Sequence, residues 1–350
     1  MARQKQYFSE YKKQGEPDKR TRAENWGVAI GLQMVDNLTP SKYLIDIAKD
    51  NIEGKISVYD AEREINRYYR ENAATTQKEQ DEQEADKVSA RIAKLLSEKT
   101  FTFSPAEYKS IHGALFDGVL DKKLAGQFRT YNITKKEEIL NNDTVVYGRA
   151  DSIAETLEYD FAQEKQFDYS SLTKRQRIEH IERFMSGIWQ IHPFGEGNTR
   201  ATVVFIIKYL DTLGLHTNNE MFEKHAKYFR NALVRANYQN LEKNIPYTME
   251  YLNKFFGNLL LGEKNRLDNR EMQIKEMGAK TTQKTTQKTA QKTAQKILDV
   301  LVKNPSATRA DLASATGLSP DGVKWNLDKL KKSGKIRRIG PDRGGHWEVV

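Results

Sequence analysis

The sequence predicts a mainly α body interrupted by one β-hairpin and followed by a small, basic C-terminal domain. Three observations lead there. Apolar residues recur at helical spacing through most of residues 40–261, and short β-prone runs are confined to residues 126–148. A polar repeat of Thr-(Thr/Ala)-Gln-Lys, from Thr281 to Lys296, then separates this body from a tail of short helices and a Gly-punctuated hairpin. The charge divides at the same place: residues 279–350 hold 15 Lys and Arg against 6 Asp and Glu, which is the whole of the net +9. A neutral body with a basic tail implies an appended polyanion-binding module.

At 350 residues the chain has room for two or three domains. The absence of cysteine excludes disulfides, thiol nucleophiles and Cys-ligated zinc. The N-terminus lacks the apolar core of a signal peptide, and no run of about 18 apolar residues occurs, so the expectation is a cytoplasmic protein with no membrane partner.

Residues 1–34 read as a polar, irregular segment with weak helical potential after Asn25. A helix is predicted from Pro40 to Asn51, with Thr39 as N-cap and Tyr43, Leu44, Ile47 and Ala48 on one face. A second runs over about 58–71 through Ala61, Ile65 and Tyr68, and residues 72–90 are polar enough for a linker or a solvated helix start. After a helix through Ile92 and Leu95, Ser104-Pro105 opens another with Tyr108, Ile111, His112, Leu115 and Phe116 inward. Gln127–Ile133 and Thr144–Gly148 are the expected limbs of the hairpin, with a long tip at 141–143. Helices follow at 151–164, 173–191, from Thr199, at about 218–240 and at 246–261.

Residues 192–200, His-Pro-Phe-Gly-Glu-Gly-Asn-Thr-Arg, carry the chemistry. They link an amphipathic helix to the start of an apolar one, where free amides and the helix dipole favour anions. Gly195 and Gly197 let the backbone approach phosphates. Glu196 suits a Mg²⁺ that takes its other ligands from substrate phosphates. Arg200 offers a fork of donors to phosphate oxygens, Phe194 plugs the core, and His192 is placed as a general base for a hydroxyl.

This stretch resembles the signature of the Fic family, His-Pro-Phe-x-(Asp/Glu)-Gly-Asn-Gly-Arg-x-x-Arg, and the likeness extends over roughly 105–260, including YKSIHGALFDGV and YFRNALVRANYQN. The resemblance implies a Fic-type helical domain over 90–265 that transfers AMP from ATP, with Mg²⁺, to a hydroxyl of a target protein. His192, Glu196 and Arg200 would be catalytic. Gly195, Gly197, Asn198, Thr199 and Arg200 would hold nucleotide, and Glu196 the metal. Asn237 either contacts the nucleoside or is a solvated helix residue. Two departures count: Thr199 replaces the usual glycine, and Val203 stands where the second arginine belongs. A relative that transfers phosphate with the nucleotide reversed has lysine at the position of Thr199; its absence here favours AMP transfer. Alternatives are a kinase-like Fic phosphotransferase and a transcriptional regulator that merely senses nucleotide.

In the family a hairpin flap holds the target segment by strand addition, so residues 126–148 are either a substrate clamp or a structural hairpin. Residues 35–72 resemble an antitoxin-like pair of inhibitory helices fused before the enzyme. Their Glu53-Gly54 would block productive ATP binding by pairing with Arg200, or is an ordinary helix end; Lys49 stands where the inhibitory motif has a hydroxyl residue. After the linker at 279–296, residues 295–350 resemble a winged helix-turn-helix domain with Gly317-Leu318-Ser319 as its turn. Lys324, Lys331, Arg337, Arg338 and Arg343 would meet DNA phosphates, unless the basic face serves protein contacts. Homo-oligomerisation stays open.

Overall fold

The computed structural model describes residues 17–215, 220–274, 296–316, 320–339 and 346–349. The chain divides into two compact units, Met1–Lys275 and Glu276–Val350.

The first unit is helical. Its elements are α1 (Pro17–Gly31), α2 (Lys42–Ile52), α3 (Val58–Glu71), α4 (Gln77–Ser97), α5 (Pro105–Phe116), α6 (Ile153–Gln166), α7 (Lys174–Ile191), α8 (Asn198–Thr212), α9 (Glu220–Ala236), α10 (Glu250–Leu261) and α11 (Asn269–Met272). At its centre lies α8, buried at every position from Asn198 to Leu210, as an all-round apolar helix must be. Its one lysine in that run, Lys208, is accommodated by donating from Nζ to the Leu95 and Glu98 carbonyls at the end of α4. Those are the carbonyls that a helix C-terminus leaves unpaired.

The N-terminal region differs from the sequence expectation. Far from an irregular segment, residues 17–31 form α1, whose Ala23, Trp26, Val28 and Ala29 are fully buried. It packs between α4 and α9, and a Cβ on Gly31 would stand 2.4 Å from the Glu223 backbone. The polar stretch before Val88 also belongs to a helix: Thr76 and Glu79 form a capping box that starts α4. Ser41, rather than Thr39, caps α2, and the buried Asp86 of α4 accepts from the Ser41 backbone and hydroxyl and from Tyr69 of α3. One carboxylate thus joins three helices.

The flap at 126–148 reverses as a hairpin, but its limbs do not pair as strands. A single antiparallel bridge, Glu137 to Asp143, closes it around a 3-10 turn at Glu138–Leu140. Lower down, each limb bonds to the signature region instead: Arg129 N–H donates to the Pro193 carbonyl and Gly148 N–H to that of Gln190. The tip is pinned by Ile274, whose N–H donates to the Ile139 carbonyl.

In the second unit, helical residues 296–303, α12 (Arg309–Thr316) and α13 (Pro320–Lys332) precede β1 (Ile336–Ile339) and β2 (His346–Val349), which pair antiparallel. Ile297, Leu301, Leu312, Val323, Leu327, Leu330 and Ile336 form its own core. Among the described residues no helix is long and apolar enough to cross a membrane.

Candidate active site

Helix α7 ends because His192 turns left-handed (φ 52, ψ 59), its N–H donating to the Trp189 carbonyl 3.0 Å away. The imidazole lies beside Tyr147 of the flap, ring centroids 4.3 Å apart, and edge-on to Trp189. Nδ1 is 3.2 Å from the Trp189 carbonyl, an acceptor only, so Nδ1 carries the proton. Nε2 therefore holds the free lone pair, and it is buried without any hydrogen-bond partner. Burial, reinforced by the nearby Lys135, Arg230 and Arg129 cations, holds the His192 pKa well below 6.5. A neutral base with its basic nitrogen unengaged is the result.

The loop behind it is braced at each residue. Phe194, fully buried, stacks on His112 at 3.7 Å. His112 accepts from Gly126 N–H at Nδ1, which leaves Nε2–H to donate to the Glu196 carbonyl at 2.9 Å. Burial lowers its pKa to about 4, so this one tautomer persists at neutral pH. Asn198 bonds both the N–H and the C=O of Phe194 with its amide. Gly197 begins α8 at φ 72, and a Cβ there would meet the Phe116 ring at 2.3 Å. None of the backbone N–H groups of Gly195 to Arg200 donates to a backbone carbonyl among the described residues. These are the orphan donors of a helix start.

The sequence-predicted residues fall into three groups. His192, Gly195, Glu196, Gly197 and the α8 amides are brought together, and the exposed Glu196 is free to face a ligand. Asn198 and Thr199 are engaged in holding the loop, since Thr199 Oγ1 accepts from Trp189 Nε1 at 3.0 Å. Asn237 is tied to α7 through Ser186 and to Leu233.

Arg200 and Glu53 require a correction. Glu53 does not reach Arg200; it pairs with Lys19 at 2.8 Å, while Arg22 caps the Ile52 carbonyl at the end of α2. Arg200, only 2% exposed, is met instead by Glu84 of α4 at 2.7 Å, by Asp36 at 2.9 Å and by Gln33. These residues come from regions read as polar and irregular, and no local pattern marks them.

Arg129 was also unmarked. Buried at the base of the flap, its guanidinium donates to the carbonyls of His192, Tyr131, Gly148 and Ile191. Its only sequence signal is a lone cation in a β-prone run.

In the second unit Lys324, Lys331 and Arg337 are exposed, with Arg337 paired to Glu348 across the strands, and Arg338 covers the Trp347 ring at 5.0 Å. Arg343 and the turn 317–319 lie outside the described residues.

The site thus defines a helical domain with a buried neutral histidine beside an anion-binding helix start. Residues 102–210 match the Fic/DOC family, and residues 291–337 match a winged helix-turn-helix DNA-binding family. The chain accordingly carries a Fic/DOC domain followed by a winged helix-turn-helix domain. A Fic family protein from Desulfovibrio desulfuricans G20 is similar in structure at 15% identity and a TM-score of 0.46, over 96% of this chain and 88% of that one. No curated protein matches the chain.

Proposed function

We propose that the first unit transfers AMP from ATP to a hydroxyl side chain of a target protein. The observation that carries this reading is the unpartnered, buried Nε2 of a neutral His192 next to the free amides of α8. A hydroxyl proton passes to His192 Nε2 as the hydroxyl oxygen bonds to the α-phosphorus; the bond from that phosphorus to the bridging oxygen breaks and pyrophosphate leaves. Nδ1–H, held by the Trp189 carbonyl, stabilises the imidazolium that forms. The Gly195–Arg200 amides and the Arg200 guanidinium neutralise phosphate charge without reorganising.

Magnesium fits the donor set. Among the described residues no three His, Asp or Glu side chains converge, but an ion held by Glu196 and the nucleotide's own phosphates needs no such cluster. When bound, it would offset charge on the leaving phosphates. The flap offers the target a docking site: Tyr131 and Val146 are exposed, and the limbs leave backbone unpaired with each other.

ATP labelled at the α- or the γ-phosphate discriminates the chemistries. The proposal expects α-label on protein and none with His192→Ala; γ-label alone would indicate phosphate transfer, and ATP binding without either label a nucleotide sensor. The second unit we assign to duplex DNA, through Lys324, Lys331, Arg337 and Arg338.

A further inference from the structure

The signature lacks its second arginine, and the structure closes that position to any cation: Val203 is fully buried in the core of α8. Arg200 alone is thin provision for a triphosphate. The flap supplies a candidate for the missing charge. Lys135, half-buried on the ascending limb, lies beside Glu196 and His192, the two ends of the signature loop, and also beside Asp36, Glu137 and Arg230. Arg230 is already committed, gripping the buried Glu137 through both terminal nitrogens. Lys135 makes no ion pair of its own among the described residues, although burial disfavours its charge.

Asp36 marks the place where these cations converge. Its carboxylate is 2.9 Å from Arg200 Nε and lies near both Lys135 and Arg230. The contact with Arg200 has ion-pair distance but not hydrogen-bond geometry, since Nε finds no aligned acceptor. The Asp36 side chain is 43% exposed, against 2% for Arg200. A poorly aligned, half-exposed anion on a fixed, buried cation is easily displaced by a better one. A phosphate group, with more charge and more acceptor oxygens than one carboxylate, is such an anion.

We propose that Lys135 takes the place of the missing second arginine, so that Arg200 and Lys135 together grip the outer phosphates of a nucleoside triphosphate in the space that the Asp36 carboxylate occupies. The inference rests on the nucleotide-transfer reading above and specifies which residues set its preference for triphosphates. Asp36 then competes with the ligand, and it does so from the short turn after α1 rather than from the Glu53 helix end.

The test is equilibrium binding of ATP, ADP and AMP, each with Mg²⁺, to the full chain by calorimetry, with melting temperatures recorded for every variant. Lys135→Gln should weaken ATP binding about tenfold, the worth of one charge-assisted contact, while leaving AMP binding unchanged. Lys135→Arg should retain ATP affinity, and Asp36→Asn should tighten ATP several-fold. Equal weakening of all three nucleotides by Lys135→Gln, or no weakening at all, overturns the assignment of Lys135. Unchanged ATP affinity in Asp36→Asn overturns the competition. If ATP binds neither to the wild type nor to a normally melting Asp36→Asn, the nucleotide reading itself falls, and this inference with it.

Discussion

His192 occupies a left-handed backbone conformation that costs a non-glycine residue about 1–2 kcal/mol. The surroundings fix it there: its own N–H caps α7, and Arg129 holds the carbonyls on either side of the turn. Replacing Arg129 with Met leaves those buried carbonyls without donors, and should cost about 3 kcal/mol or more in denaturant unfolding. The depressed pKa of His192 has a kinetic consequence. Its neutral form persists below the usual pKa of 6.5, so kcat/KM for protein labelling should stay flat from pH 8 down through 6.5. An acid limb centred at 6.5 would show that the base is solvated, or is another group. At this scale the signature was legible because its chemistry lies in consecutive residues. Asp36 and Glu84 were not, because they meet Arg200 only across 164 and 116 positions of chain.

Helix α4 exemplifies what sequence patterns hide. Its polar first half reads as linker, yet it carries Asp86, which ties α2 and α3 to it, and Glu84, which meets Arg200. Polar residues at these positions are spent on interhelical bonds rather than on solvent, and single-sequence periodicity does not distinguish the two uses. The flap misleads in the opposite way. Its β-prone limbs are extended, but their backbone partners are Pro193 and Gln190 rather than each other. Burial also sets a pH dependence. Desolvation raises the Asp86 carboxyl to about 6 and the Glu182 carboxyl of α7 to about 8. A carboxyl with a raised folded pKa contributes stability below its unfolded pKa that is lost as pH rises through the folded one. His112, lowered to about 4, acts oppositely, and only below 6.5. Unfolding free energy should therefore fall between pH 6.5 and 8, and Glu182→Gln should flatten that slope in urea titrations. A slope unchanged in the variant would place the titration elsewhere.

On the scale of the whole chain, two units with separate cores join a group-transfer site to a DNA-binding module. The basic excess of the tail was legible in composition alone, whereas the pairing of Arg337 with Glu348 was not. That pairing ranks the contacts. Lys331→Gln should lower the salt dependence of duplex binding by about one counterion, with Arg337→Gln doing less because part of its charge is already offset. Equal effects would mean the ion pair opens on DNA. The central claim is that His192 Nε2 receives the hydroxyl proton at a phosphate-binding loop. It is tested most directly by incubating Asp36→Asn and the Asp36→Asn/His192→Ala double variant with α-labelled ATP and Mg²⁺, and measuring label on protein. The account predicts label in the first and a loss of at least about a hundredfold in the second; equal labelling of both would contradict it.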